Sequence, residues 1–280
     1  MTDIDDKLVV RRYMRLEQFL TILEHHTLFF RAMSAFQDKL EGHLTTIDRF
    51  FVDGGADLLH NLVNNQMVAA LGQGLNPPSV IEAAREKDRL FREKFKSRTF
   101  DTAFGQIAVS EDNLPSVIVE KMKNWLDVSC WDGNEFESIA MWRIYGGSDN
   151  SVCVQTTIGD LISSLDVGPA LTGYVGRVNY IGHKEDVYIG GNDIGYFMRK
   201  HNAYEYEQEI RIIVLDAGAD PLSHRSVEGT AIPVDINSLI KLVKISPEAP
   251  KWFVDLVASI VRSRYRLSAQ IRASDLDELE

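Results

Sequence analysis

Tyr204-Glu205-Tyr206-Glu207-Gln208-Glu209-Ile210-Arg211-Ile212-Ile213-Val214-Leu215 is the stretch on which the reading of this chain turns. Side chains of a strand alternate between faces, so the spacing predicts Glu205, Glu207, Glu209 and Arg211 on one face and Ile210, Ile212 and Val214 on the other. Core lies behind and a row of carboxylates in front. Like charges two residues apart repel one another, a cost accepted where a cation, a metal or a developing positive charge stands opposite. The same pattern also fits a plain solvated strand face.

Upstream, residues 194–201 read as a short helix that ends on Lys200 and His201, placed to position or counterbalance those carboxylates. The acidic, glycine-rich stretch 184–193 before it reads as a loop. The chain opens β-α-β. Residues 8–13 form a strand in which Val10 and Arg12 share a face, Leu16, Phe19, Leu20 and Leu23 follow helical spacing, and residues 28–31 form a second strand. A polar turn at 35–42 then carries Asp38 and Glu41 three residues apart, a helix-start cap or a pair of ligands.

Residues 45–106 are helical in pattern, broken at Gly72-Gln73-Gly74 and Pro77-Pro78, and read as an insertion. Within it Arg85, Arg89, Arg92 and Lys96 make one basic stripe, suited to tracking phosphates or to a solvated face. Asn134 and Glu137 fit a capping box for a helix over 135–145, with Ser138, Met141, Trp142 and Tyr145 on one side. Such a stripe packs in a core or stacks on a ligand ring. Further strands fall at 151–157, 174–181, 230–236 and 242–245. This succession predicts an α+β fold with a mixed sheet core, a single domain over 1–280 with a helical insertion at about 45–106.

A formal net charge of -11 argues against phosphate binding over the whole surface but leaves room for a local basic groove. Cys130 and Cys153 are too few for a disulfide scaffold and lack the neighbours of a zinc site. The first residues are acidic and polar with no apolar leader core, and no run approaches the ~18 apolar residues of a membrane helix, so a cytoplasmic protein without a membrane partner is expected.

The sequence resembles a bacterial domain-of-unknown-function family in which a Tyr-Arg-Tyr strand, a Phe-Asn-Asp-Pro-Phe-Glu turn, a Met-Trp-x-x-Tyr helix and a Tyr-Glu-x-Glu-x-Arg strand recur in that order. Here they read Arg11-Arg12-Tyr13, Phe36-Gln37-Asp38-Lys39-Leu40-Glu41, Met141-Trp142-Arg143-Ile144-Tyr145 and Tyr206-Glu207-Gln208-Glu209-Ile210-Arg211. Arg11 stands where the family has tyrosine, and Gln37 and Lys39 where it has Asn and Pro. More distantly, the order of elements is similar to that of ADP-ribosyltransferase toxins. That resemblance implies an ADP-ribosyltransferase-like fold, NAD as substrate and a macromolecular acceptor. It places Arg12 and Tyr13 at the first NAD-contacting position, Ser34 at the second, and Glu207 and Glu209 on the catalytic strand, with Trp142 or Tyr145 stacking on a ring of NAD. Two other readings are open: a nucleic-acid- or protein-binding module of a bacterial conflict system using the Arg85 stripe, and a metal-dependent nuclease built from Asp38, Glu41, Glu207 and Glu209.

Overall fold

Alternation of Val10, Arg12 and Met14 against Arg11 and Tyr13 makes the opening segment a strand, β1 (Val9–Arg15). Helix α1 (Leu16–His25) starts where the Gln18 side chain accepts the Arg15 backbone N–H (3.0 Å) and buries Phe19, Ile22 and Leu23. His26 closes it in the left-handed region, with φ 51°, and turns the chain into β2 (Thr27–Ala32). The computed structural model describes residues 4–38, 40–72, 74–147, 149–182 and 194–277, so the expected loop at 184–193 lies outside the described residues.

The other strands of the main sheet are β3 (Asp127–Asp132), β4 (Ser151–Thr157), β5 (Leu171–Arg177), β6 (Glu209–Asp216), β7 (Gly229–Pro233), β8 (Leu242–Ile245) and β9 (Gln270–Ala273). They run in the order β7-β2-β3-β1-β4-β8-β9, with β6 on the other edge of β3 and β5 beyond it. Within this sheet, among the described residues, only β8 and β9 pair parallel, which makes the sheet mixed, as the sequence predicts.

One feature of this order positions the site. Along one edge β3 pairs with β6 throughout, from Glu209 opposite Asp132 to Val214 opposite Asp127. Its other edge is shared: Arg11 of β1 stands opposite Asp132, whereas Arg31 and Ala32 of β2 stand opposite Val128 and Asp127. Two strands attached to opposite ends of one edge diverge, and the sheet is split between them.

Both faces of the sheet are covered. Ile210, Ile212 and Val214 join Val10, Met14, Phe19 and Trp131 on the α1 face. Ile213 and Leu215 join Val128, Ile118, Met122 and Phe197 on the other. Each such side chain contributes roughly 1.5–3 kcal/mol when fully buried, so β6 is a central strand whose apolar residues offset the expense of any charge it carries inward.

The insertion contains α2 (Thr46–Val52), α3 (Gly55–Asn61), a π turn (Leu62–Gln66), α4 (Met67–Leu71) and α5 (Pro78–Lys96). Its end departs from the expected helix: Thr99–Thr102 pairs with Gly105–Ala108 as a hairpin, turning on Gly105 at φ 95°. Asp48 of α2 binds Arg199 (2.6 Å), and Asp53 accepts from the Ser116 backbone and hydroxyl (both 2.8 Å), which fastens the insertion to the body.

The capping box expected from Asn134 and Glu137 does not form. Ser138 caps a single turn, Ile139–Met141, that continues as a π turn, Trp142–Gly146. Glu137 instead turns into the body, where it accepts from Lys244, from Ser274 Oγ (2.5 Å) and from Trp142 Nε1 (3.1 Å). With the Asp275 N–H (3.1 Å) as a fourth donor, this buried carboxylate serves long-range packing better than a local cap.

Candidate active-site cleft

The carboxylate row predicted for 204–211 is not a strand throughout. Asn202–Glu207 is a 3₁₀ turn, Gln208 sits in the left-handed region at φ 42°, ψ 47°, and β6 begins only at Glu209. A left-handed non-glycine residue costs roughly 1–3 kcal/mol and persists where its surroundings fix it. Here the Gln208 side chain donates to the Glu205 carbonyl (2.8 Å), and its own carbonyl accepts from Gly133 (3.0 Å). The consequence is a sorting of the three acids. Glu205 is exposed, while Glu207 and Glu209 are both buried and meet at one cation.

That cation is Lys200, carried by a short strand, Arg199–His201, rather than by the end of a helix. Its Nζ lies 2.6 Å from Glu207 Oε2 and 3.2 Å from Glu209 Oε2. Glu209 Oε1 accepts from Arg211 Nε (2.9 Å), and Arg211 also binds Glu41 and the Phe197 carbonyl (2.5 Å). Tyr145 donates its hydroxyl to Glu207 Oε1 (2.9 Å). Three carboxylates thus face two cations, and the arrangement holds one negative charge in excess when all are ionised.

The electrostatics follow from burial set against these pairs. Burial would raise the Glu209 carboxyl, but Arg211 and Lys200 outweigh it and hold the group down at about 2. Burial would likewise drain the Lys200 ammonium, and Glu209, Glu41 and Glu207 reverse that and raise it above the ordinary lysine range. Glu41 is pushed up by burial, against Arg211 and Lys200. For Tyr145, burial and the Glu207 charge act together and keep the phenol protonated far above neutrality.

A cleft of about 540 Å³ opens at the split between β1 and β2, within the size range of ligand pockets. Glu207, Glu209 and Tyr145 line it on one side of the sheet and Arg12 on the other. The parity is set by register: Glu209 stands opposite Asp132 and shares its face, whereas Arg12 contacts Ser129 and Trp131 on the α1 face. Both reach the same cavity because the split runs through the sheet. Arg12 Nη1 donates to Ser129 Oγ (2.9 Å), the guanidinium lies 5.8 Å from the Trp131 ring centre, and among the described residues no carboxylate is within ion-pair distance of it. Burial lowers its pKa, the signature of a cation without a counter-ion.

The residues expected at the site divide. Arg12, Tyr13, Tyr145, Glu207 and Glu209 line the cleft. Tyr13 does so as a buried ring whose hydroxyl accepts from the Ser138 N–H (3.2 Å). Trp142 and Ser34 are not among the lining residues. Trp142 is buried edge-on against Tyr13, with ring centres 4.9 Å apart, and Ser34 is exposed on the turn after β2. Phe29 and Arg31 of β2 do line the cleft and are exposed there. Their signal was available: in Leu28-Phe29-Phe30-Arg31-Ala32 the buried residues alternate with these two.

The residues behind the other two readings are also placed. Arg89 pairs with Glu86 (2.6 Å) and Glu93 (2.7 Å), and Arg92 with Asp88 (2.9 Å), so much of the basic stripe is neutralised within α5. Glu41, Glu207 and Glu209 do converge, but around Lys200 and Arg211. Asp38 stays apart, its Oδ1 accepting from the Leu40 N–H (2.9 Å). Among the described residues no three His, Cys, Asp or Glu side chains are grouped to hold a metal ion, and no helix is long and apolar enough to cross a membrane.

No protein-family model matches the sequence, and no curated protein matches it.

Proposed function

We propose that the cleft binds NAD and that the chain is an ADP-ribosyltransferase, moving ADP-ribose from NAD to a macromolecular acceptor. The observation that carries this reading is a cavity lined by a half-buried arginine with no carboxylate in ion-pair distance among the described residues and by the Glu207–Glu209 pair, of which Glu209 is held ionised. A dinucleotide has both complements. Its pyrophosphate is an anion that a guanidinium grips with two parallel N–H contacts. Its nicotinamide ribose turns cationic in the transition state.

The chemistry then assigns roles. The bond from the ribose C1′ to the nicotinamide nitrogen breaks, its electron pair leaves with nicotinamide, and positive charge develops on C1′ and the ring oxygen. Glu209, ionised at any physiological pH, stabilises that charge electrostatically. Its pairing with Lys200 and Arg211 reduces its field but keeps the carboxylate ionised. An acceptor O–H or N–H attacks C1′ and loses its proton, which Glu207 takes within hydrogen-bond reach. Tyr145, held through its hydroxyl by Glu207, is partly exposed and offers a ring against which a ligand ring would pack.

The test is release of free nicotinamide and transfer of label from NAD into a cell lysate, comparing wild type with Glu209→Gln and Glu205→Gln. The expected outcome is turnover in wild type and in the Glu205 variant, and at least a hundredfold loss in the Glu209 variant with its melting transition retained, a magnitude of the order lost with one transition-state-stabilising group. Absence of nicotinamide release from wild type with lysate present overturns the transferase reading.

A further inference from the structure

The helical insertion carries its apolar residues on the wrong side for a core. α3, the π turn and α4 run on from Gly55 to Leu71, and polar side chains tie this segment to α5. Asn61 Nδ2 donates to Asp88 Oδ1 (2.6 Å), Gln66 Nε2 reaches the same oxygen (3.1 Å), and Asn65 Nδ2 donates to Asn61 Oδ1 (2.7 Å). Meanwhile Leu58, Leu59, Leu62, Val63, Met67 and Leu71 are each between 42% and 66% exposed. An amphipathic helix ordinarily buries its apolar stripe against its neighbour. This one turns it outward.

The stripe is also aligned. Leu59, Val63, Met67 and Leu71 recur every four residues, a row that drifts round a regular α-helix of 3.6 residues per turn. The π turn at Leu62–Gln66 widens the helix in the middle of that row and keeps it on one side. Rows of this spacing are the ridges that interlock when two helices pack.

We propose that this stripe is a homodimer interface, in which residues 55–71 of two copies pack against each other about a two-fold axis. Charge selects the occupant. Asp57 is the one Asp, Glu, Lys or Arg in residues 55–71, while the whole chain carries -11. Two copies meeting through an acidic surface repel each other, and this helix lets them approach without like charges at the contact. A nucleic acid would need basic residues in the stripe. An anionic bilayer would draw a helix with Lys and Arg on its polar face, where this one has Asn61, Asn65 and Gln66. An apolar ridge is complementary to its own copy, which is what an isologous interface requires.

Sedimentation velocity over a wide concentration range tests the proposal. Wild type is expected at twice the 31.6 kDa chain mass, shifting toward monomer on dilution. Val63→Glu is expected to be monomeric, and Phe136→Glu, a change at a side chain 74% exposed outside the insertion, is expected to remain dimeric. A wild type that stays monomeric throughout overturns the proposal, as does a dimer that survives Val63→Glu. A monomeric wild type that co-sediments with phosphatidylserine vesicles does the same and assigns the stripe to a membrane surface. Should Val63→Glu unfold, Val63→Cys decides. With an added oxidant to accept the two electrons, two mid-helix thiols facing each other across the axis form a disulfide-linked dimer, and its absence counts against the interface.

Discussion

The two sides of the sheet split treat charge in opposite ways. On one side Glu41, Glu207, Glu209, Lys200 and Arg211 saturate one another. On the other Arg12 has a serine hydroxyl and the neighbourhood of a tryptophan ring and, among the described residues, no anion within ion-pair distance. The first arrangement is assembled before any ligand arrives. The second is completed by one. Charge that is already paired supplies a fixed field, while a half-buried cation left unpaired supplies affinity for an anionic ligand, and a site for a dinucleotide uses both.

The comparison breaks most violently at Arg211. Replacing it by Met leaves Glu41 and Glu209 buried with one fewer cation, and the expected loss of stability is about 3–5 kcal/mol, measured by urea or thermal unfolding. Arg12→Met, at a half-buried arginine on the other side, is expected to leave the melting temperature unchanged or raise it, since no partner is stranded. A loss at Arg12 matching that at Arg211 would erase the distinction between the two sides.

Acid sharpens the same contrast. The Glu209 pKa is depressed in the folded state, from 4.5 to about 2. Its contribution to stability is therefore fully present above about pH 4.5 and is lost as pH falls toward 2. The stability difference between wild type and Glu209→Gln should shrink across that window, while a difference constant with pH would show that the pairing with Arg211 and Lys200 is not what holds the carboxylate. A smaller effect belongs to Tyr145→Phe, which removes one hydrogen bond to Glu207 and is expected to cost about 1 kcal/mol in unfolding experiments. Glu205→Gln, on the exposed acid of the 3₁₀ turn, should leave stability unaltered.

How much of this was legible in the sequence depends on the range over which each feature is decided. The alternation in Val10-Arg11-Arg12-Tyr13 and in Ile210-Arg211-Ile212-Ile213-Val214 is local, and it correctly separates Arg12 from Tyr13 and Ile210 and Ile212 from Arg211. Lys200 was legible as a counter-charge by proximity alone. The break at Gln208 was not, because glutamine has no intrinsic preference for the left-handed region, and the contacts that hold it there come from Glu205 and Gly133. The pairing of Arg211 with Glu41 spans 170 positions and leaves no periodic trace. The sharing of one β3 edge by β1 and β2 is a property of the assembled sheet, and the cleft exists only because of it. Trp142 and Ser34 were expected at the site on resemblance; Trp142 instead packs on Tyr13, where a large ring contributes more by burial than at a surface.

Calorimetric titration of NAD into wild type and into Arg12→Met tests the central claim most directly. The account predicts a binding heat for wild type and affinity reduced at least tenfold, about 1.4 kcal/mol or more, in a variant that melts at the wild-type temperature or above. No binding heat with wild type, or equal affinity in the two proteins, would contradict it.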